Sequence, residues 1–363
     1  MAKFEFHDLK VAGIASVVPK NKVDMRDFAE IYGEDAVKKT IAGTGIKMAH
    51  RAASEQTASD LGYAAAKRLL DSKKIAPDSI GIFVFVTQSP DYRRPSSASI
   101  LHGKLGLPLT CAAMEVNLGC SGFMYGLETA AAMMNCSREK YALLVLGETA
   151  SKLTNIKDRS TNMLYGDGAC AVLLERSEGA TPIWIKLMSD GSRHRAIILP
   201  AGGFRDMNAL RDEFVCSDGN TRSLYDIHMD GTAVFSFTIT DVPASINSFM
   251  DEFHTNIQDY DYVFLHQANE FIIKQFIRKF KLKKENVPVS LDRYGNTGGV
   301  SIPLTICDRL GEADEGIRRV FSSGFGIGLS WGIAAFEVDT ADVLPIEETD
   351  YFDEKGKLKP EEL

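Results

Sequence analysis

The hydrophobic positions change period along the chain. Residues 80–87 read Ile-Gly-Ile-Phe-Val-Phe-Val-Thr, apolar on both faces, the pattern of a strand buried inside a sheet. Residues 9–18, 112–116, 141–147 and 169–175 also read as strands. Between them, 57–71 shows the spacing of an amphipathic helix, and 96–105 and 126–134 read as helices. The rhythm then repeats, with helices over 232–253, 270–280 and 300–310 and strands over 262–265, 318–322 and 330–338. Strands alternating with helices predict an α/β architecture. Both halves carry strand–helix–strand units of similar scale, which suggests a structural duplication with a boundary near 176–182. The residues themselves show no repeat. Residues 200–226 are rich in Gly, Asp and Arg with weak periodicity and read as a long insertion. The tail after Asp342 is acidic and aperiodic, and is expected on the surface or partly disordered.

A chain of 363 residues accommodates one large domain or two fused ones. The predicted division is an N-terminal half over 1–180, a C-terminal half over 181–340 and an acidic surface tail over 341–363. Net charge is −8 without a global basic excess, which argues against nucleic acid and against an anionic membrane surface as partners. No apolar run approaches about 18 residues, so no membrane-spanning helix is expected. The first ten residues alternate charged and apolar side chains and hold no signal core, so a cytoplasmic protein is expected. The six cysteines are scattered without a C-x-x-C pair, which predicts no disulfide framework. Five of them (Cys111, Cys136, Cys170, Cys216 and Cys307) read as small buried hydrophobes. His7, His50, His102, His194, His228 and His254 show no ligand-like spacing, read as surface or structural, and predict no metal site.

The sixth cysteine differs in its context. In Val116-Asn117-Leu118-Gly119-Cys120-Ser121-Gly122-Phe123 a strand runs into a Gly-flanked turn, and a helix of small residues follows. That order places the Cys120 thiol at the positive end of a helix dipole, which is expected to lower its pKa from roughly 8.5 toward the reactive thiolate. Two more polar groups lie in distinctive surroundings: His266 in Leu265-His266-Gln267-Ala268-Asn269, and Asn296 in Tyr294-Gly295-Asn296-Thr297-Gly298-Gly299. Alone, His266 reads as a satisfied core histidine at a strand end. Beside Cys120 and Asn296 it reads as catalytic. Asn269 also reads as the N-cap of the helix over 270–280. Lys274, Arg278 and Lys279, with Lys281, Lys283 and Lys284 beyond, form a basic run that is either a solvated helix face or a docking patch for an acidic partner.

Six stretches in this order resemble the β-ketoacyl-acyl-carrier-protein synthase III family of the thiolase-like superfamily, from about Leu9 to Glu337. They are Gly43-Thr44-Gly45-Ile46, Asn117 to Phe123, Tyr165-Gly166-Asp167-Gly168-Ala169, His266-Gln267-Ala268-Asn269, Gly295-Asn296-Thr297, and Gly324-Phe325-Gly326-Ile327-Gly328-Leu329-Ser330-Trp331-Gly332. The resemblance implies a thiolase-like α/β fold with duplicated five-layered α-β-α-β-α halves, and a homodimer. It implies that Cys120 carries an acyl group as a thioester. His266 and Asn296 would bind the carbonyl of a malonyl thioester and stabilise the enolate left by loss of carbon dioxide. The backbone N–H groups of Cys120 and Ile327 would form the second oxyanion hole, Ile327 standing where the family often has Gly. Asn269 would orient the His266 loop.

The same resemblance marks departures. Family members gripping a coenzyme A primer often stack its adenine between a Trp and an Arg. Arg159 matches that Arg, but Lys39 stands at the Trp position and Gly43 at a second Arg position, which predicts altered coenzyme A recognition and admits a carrier-protein-bound primer. The acyl-pocket floor, often Phe or Leu from the partner subunit, falls on Arg94, or on Arg93 with a one-residue slip. That predicts a short or polar primer, a remodelled loop, or an arginine turned to solvent. The docking Arg five residues after the catalytic His is Phe271 here, so basic docking, if present, shifts to Lys274, Arg278 and Lys279.

The implied function is an acyltransferase that condenses acyl-Cys120 with a malonyl thioester to give a 3-oxoacyl-acyl carrier protein in fatty acid or related biosynthesis. It would need no cofactor beyond coenzyme A or acyl-carrier-protein thioesters as substrates. The alternative is acyl transfer to an amine, hydroxyl or carbon nucleophile without malonyl decarboxylation. A non-catalytic scaffold is disfavoured by the intact Cys120, His266 and Asn296.

Overall fold

The computed structural model describes residues 2–358 and Pro360. Its frame is eleven strands: β1 (Ala2–Phe6), β2 (Leu9–Pro19), β3 (Ile80–Val86), β4 (Ala112–Val116), β5 (Tyr141–Glu148), β6 (Gly168–Arg176), β7 (Ile183–Ser189), β8 (Tyr262–Leu265), β9 (Ile317–Gly326), β10 (Ser330–Asp339) and β11 (Glu347–Thr349). The seven longer helices are α1 (Glu34–Thr44), α2 (Ala58–Lys73), α3 (Ser97–Leu105), α4 (Gly122–Asn135), α5 (Gly231–Phe253), α6 (Glu270–Lys279) and α7 (Ser301–Leu310).

One five-stranded run has the order β4-β3-β5-β6-β2, and a second has the order β8-β9-β10-β7-β1. The strands β3-β5-β6-β2 are joined parallel, antiparallel, antiparallel, and so are β8-β9-β10-β7. The two runs meet where Val338 of β10 pairs in parallel with Val11 of β2.

Alternation along the strands builds the layers. In β3, Phe83 and Phe85 point to one face and pack with Leu61 and Leu69 of α2 and Leu101 of α3. Ile82, Val84 and Val86 point to the other and pack with Phe123 and Leu127 of α4 and Ile302 and Ile306 of α7. On the far side, Phe249 of α5 and Ile273 and Phe276 of α6 cover Phe321, Phe325 and Ile333. The order is helix, sheet, helix, sheet, helix: the thiolase-like arrangement. Each fully buried Phe contributes about 1.5–3 kcal/mol relative to exposure.

Several features depart from the sequence reading, among them β1, α1 and β7, which the residue pattern did not predict. β7 carries Lys186 at an inward position with only 1% exposure, and that charge broke the apolar pattern. Its ammonium is satisfied by Glu252 Oε1 and Ser248 Oγ, each at 2.6 Å. The tail lies largely on the surface, as expected, and where it is described it is tied down. β11 adds in parallel to β2, Lys22 pairs with Glu348 at 2.5 Å, Tyr351 stacks on Tyr63 at 5.0 Å, and Lys104 holds Asp353 at 3.0 Å. Among the cysteines, Cys111, Cys170 and Cys307 are buried as expected, but Cys136 is exposed and Cys216 partly so. Among the described residues, no helix is long and apolar enough to cross a membrane.

Candidate active site

Parallel strands bring several chain segments to one end of the sheets. Cys120 follows the carboxyl end of β4, and Glu148 ends β5. His266 follows β8, and Gly326 ends β9. Carboxyl ends of strands are where open α/β sheets leave room for ligands.

The Cys120 turn is closed by Gly122 N–H donating to the Gly119 carbonyl at 2.6 Å. Ser121 precedes α4 but does not cap it with its side chain. Its hydroxyl lies 2.6 Å from Ser330 Oγ, and Ser330 Oγ donates to the Ile327 carbonyl at 2.6 Å. Ser330 has a single proton, so Ser121 is the donor between the two hydroxyls. This chain of hydroxyls fixes the Ile327 turn against the nucleophile turn. The backbone N–H groups of Ile327 and of Cys120 favour the thiolate form of Cys120. Gly326 faces the same side chain. A methyl carbon built on it would lie 2.6 Å from Cys120 Cβ and 2.8 Å from Sγ, so only glycine fits.

Cys120 is 8% exposed. Burial pushes its thiol up to about 11, against the pull of the Ile327 and Cys120 N–H groups. The expectation of a lowered pKa is therefore corrected: desolvation outweighs the helix end, and the resting thiol is neutral.

His266 and Asn296 are both buried. The backbone N–H of His266 donates to the Ser323 carbonyl of β9 at 2.9 Å, and its ring lies edge-on to Phe325 at 5.6 Å. Phe325 precedes Gly326, which ties the histidine to the cysteine. Its Nδ1 lies 2.8 Å from Ser301 Oγ. Burial pushes the imidazole down to about 3, partly opposed by the Gly298 carbonyl, so it is neutral at physiological pH. Asn296 is held by its backbone: its N–H donates to the Leu164 carbonyl at 2.9 Å, and its carbonyl accepts from Gly166 N–H at 3.1 Å. The Tyr165 to Gly168 motif thus braces the asparagine. Asn296 Oδ1 accepts from Gly298 N–H at 3.0 Å, which leaves the Nδ2 hydrogens as donors. Gly299 lies against the nucleophile turn; a methyl carbon there would meet the Gly119 carbonyl at 2.6 Å.

This geometry has counterparts among known proteins. Residues 114–191 match the family model for 3-oxoacyl-[acyl-carrier-protein] synthase III, and residues 250–338 match its C-terminal model. The β-ketoacyl-[acyl-carrier-protein] synthase III of Streptococcus pneumoniae is 34% identical over 327 residues, covering 89% of this chain and 97% of that protein. The chain belongs to the β-ketoacyl-acyl-carrier-protein synthase III family. The crystal structure of a 3-oxoacyl-(acyl-carrier protein) synthase from Burkholderia xenovorans superposes with a TM-score of 0.89 at 34% identity, covering 96% of this chain and 99% of that one. A priming β-ketosynthase of a polyketide pathway shares the fold at 23% identity, with a TM-score of 0.75, covering 94% of this chain and 97% of that one. The protein is thus an acyltransferase that condenses an acyl primer with a malonyl unit on acyl carrier protein to give a 3-oxoacyl-acyl carrier protein.

The remaining sequence candidates lie around this synthase core. Asn269 caps α6 through Ile272 N–H at 2.9 Å. The loop after His266 is held more directly by Gln267, which donates to the Leu265 carbonyl at 2.8 Å and accepts from Ser290 N–H at 3.0 Å. Arg159 is exposed at the start of a one-turn helix capped by Asp158. Asp158 is gripped by the buried Arg222 at 2.6 Å, and Arg222 also reaches Ser160 Oγ at 2.9 Å and Asp218 at 2.7 Å. Residues 200–226 are in this way fastened beside Arg159. Arg94 and Arg93 are exposed, with guanidinium carbons 5.9 Å and 5.6 Å from the Phe204 ring centroid. Lys274 pairs with Glu270 at 2.9 Å. Exposed Arg278 and Lys279 rim an apolar groove of about 170 Å³, lined by Phe235, Ile239, Pro243 and Phe276.

Sequence reasoning missed Ser301, Ser330, Gln267 and Glu148. The buried Glu148 accepts from Gln88 N–H at 2.9 Å and from Ser89 Oγ at 3.0 Å, next to Gly298. Burial pushes its carboxyl up to about 8, so it is largely protonated at neutral pH. Its only sequence signal was an acidic residue ending an otherwise apolar strand.

Proposed function

We propose that Cys120 is the acyl acceptor, with His266 and Asn296 as the enolate-stabilising pair. The observation that carries this is the placing of the Cys120 side chain against the turn that holds Ile327, where a methyl carbon built on Gly326 would lie 2.8 Å from Sγ. Once the sulfur is acylated, the backbone N–H groups of Ile327 and Cys120 would serve the thioester oxygen. In loading, the Cys120 sulfur bonds to the primer carbonyl, the primer's C–S bond breaks, and the thiol proton leaves with the departing thiol. The malonyl C–C bond then breaks, releasing carbon dioxide, and the electron pair forms an enolate. His266, neutral and with a pKa of about 3, is too weak a base to hold a proton. It acts as an N–H donor beside Asn296 Nδ2. The enolate carbon bonds to the acyl carbonyl, the Cys120 C–S bond breaks, and the thiolate takes up a proton.

The chain reads as two halves, 1–180 and 181–340, with a tail over 341–363 whose described residues brace the first. The outer edge of β4 supports a homodimer: it is an edge strand in which Ala112, Ala113 and Met114 are exposed, apolar and free to pair with a second copy. Sedimentation showing only monomer at micromolar concentration removes that reading. The groove rimmed by Arg278 and Lys279 is assigned to acyl carrier protein. Arg159 and Arg94 are assigned to the primer, with Arg94 favouring a short or polar one; octanoyl loading as fast as acetyl loading removes that preference.

The test is intact mass after incubation with acyl-CoA and acyl-carrier-protein thioesters. A mass gain is expected in the wild type and none in Cys120→Ala. His266→Ala and Asn296→Ala are expected to load but to lose carbon dioxide release from malonyl-acyl carrier protein by about 10²-fold or more. Loading of Cys120→Ala, or normal decarboxylation by both other variants, overturns the assignment.

A further inference from the structure

Ser301 lies at the first position of α7, 1% exposed and in contact with His266. Its Oγ is 2.8 Å from His266 Nδ1 and 3.4 Å from the backbone nitrogen of Gln267. A backbone N–H can only donate, so the Ser301 oxygen accepts from Gln267. A hydroxyl has one proton, and the remaining partner is Nδ1. If Nδ1 also carried a proton, Ser301 would accept twice, and its own proton would be left without an acceptor among buried groups. The bonding therefore balances when Nδ1 accepts and the ring proton sits on Nε2.

We propose that Ser301 is a positioning residue that sets the tautomer of His266, holding Nδ1 as an acceptor and the N–H on Nε2, where it serves the enolate oxygen. The proposal rests on the donor role of His266 described above. An imidazole with no ionised partner has two neutral tautomers of similar energy, and the partner of one nitrogen decides which atom donates at the other. A carboxylate does this in Ser-His-Asp triads, where the wrong tautomer costs about 10⁴-fold in rate. A neutral serine hydroxyl does it here without adding negative charge beside a developing enolate.

The test combines nitrogen-15 NMR of the histidine rings with two rates: acyl loading, and carbon dioxide release from malonyl-acyl carrier protein. The wild type is expected to show the Nε2–H pattern for His266, assigned by its loss in His266→Gln. Ser301→Ala is expected to remove this bias, so that the proton also populates Nδ1. Carbon dioxide release then falls by about ten-fold or more while loading stays within about two-fold. Ser301→Thr keeps the hydroxyl and restores both the pattern and the rate. An Nδ1–H pattern in the wild type overturns the proposal, and so does a Ser301→Ala protein with unchanged tautomer and rate. Normal decarboxylation by His266→Ala would instead overturn the donor role of His266, leaving the spectra to decide the serine's role independently.

Discussion

Replacing Gly326 by alanine tests the closest approach in the site. The added carbon would lie 2.6 Å from Cys120 Cβ and 2.8 Å from Sγ. Comfortable carbon contacts begin near 3.5 Å, so something must move by about 1 Å. The sulfur could turn away, but Cys120 Cβ is fixed to a backbone held on three sides. Gly122 closes its turn at 2.6 Å, Ser121 is tied to Ser330 at 2.6 Å, and Gly299 lies beneath Gly119. Gly326 is held on one edge, where it pairs with Ser330 of β10. The strain therefore falls on the turn between Gly326 and Ser330 and displaces the Ile327 N–H. Overpacking of this kind costs about 1–3 kcal/mol of stability. Losing one oxyanion donor costs about 10²–10³ in rate, and a 1 Å misplacement about 10². Gly326→Ala is thus expected to fold, with a melting point a few degrees lower, and to load acyl groups about 10²-fold or more slowly. Intact mass against time, beside thermal unfolding, measures both. Loading at the wild-type rate with full stability would refute the close approach and the donor role of Ile327.

Three further outcomes follow from burial and charge. With its thiol near 11, Cys120 should be alkylated slowly by iodoacetamide at pH 7, the rate rising about ten-fold per pH unit toward 10 in peptide-resolved mass spectrometry. A rate already flat above pH 7 would mean that the helix end wins over burial. Glu148, at about 8 against an ordinary 4.5, contributes stability that is full below pH 4.5 and lost as pH rises through 8. The loss is up to about 1.4 kcal/mol per pH unit. Glu148→Gln should flatten the decline between pH 6 and 8 in urea unfolding, and equal slopes in the two proteins would contradict the protonated carboxyl. Arg278→Glu with Lys279→Glu should raise KM for malonyl-acyl carrier protein about ten-fold at low salt and less at high salt, leaving acetyl-CoA loading unchanged. A salt-independent KM in the wild type would remove the basic docking face.

Local signals in this chain were legible, and signals that need two distant segments were not. The strand periods over 80–87 and 141–147, the turn at Cys120 and the Asn269 cap depend on neighbours within a few residues, and the fold keeps all of them. Lys186 hid a strand because its partner Glu252 sits 66 residues away. Ser121 and Ser330, 209 residues apart, and His266 and Ser301, 35 apart, carry no mark in either segment alone. The thiol shows the physical reason most clearly. A helix N-terminus can be read from residue order, but desolvation depends on what the rest of the chain stacks around it, and here desolvation sets the sign. Burial acts the same way on three groups: the thiol near 11, the imidazole near 3 and the Glu148 carboxyl near 8 are all predominantly neutral at pH 7. A fixed anion would repel both the malonyl carboxylate and the enolate it becomes, and a buried imidazolium would hold that carboxylate and stabilise the ground state. Neutral N–H donors do neither, and they strengthen as charge moves onto the thioester oxygen. The same burial that contradicts the sequence expectation for Cys120 is therefore what suits the site to decarboxylation.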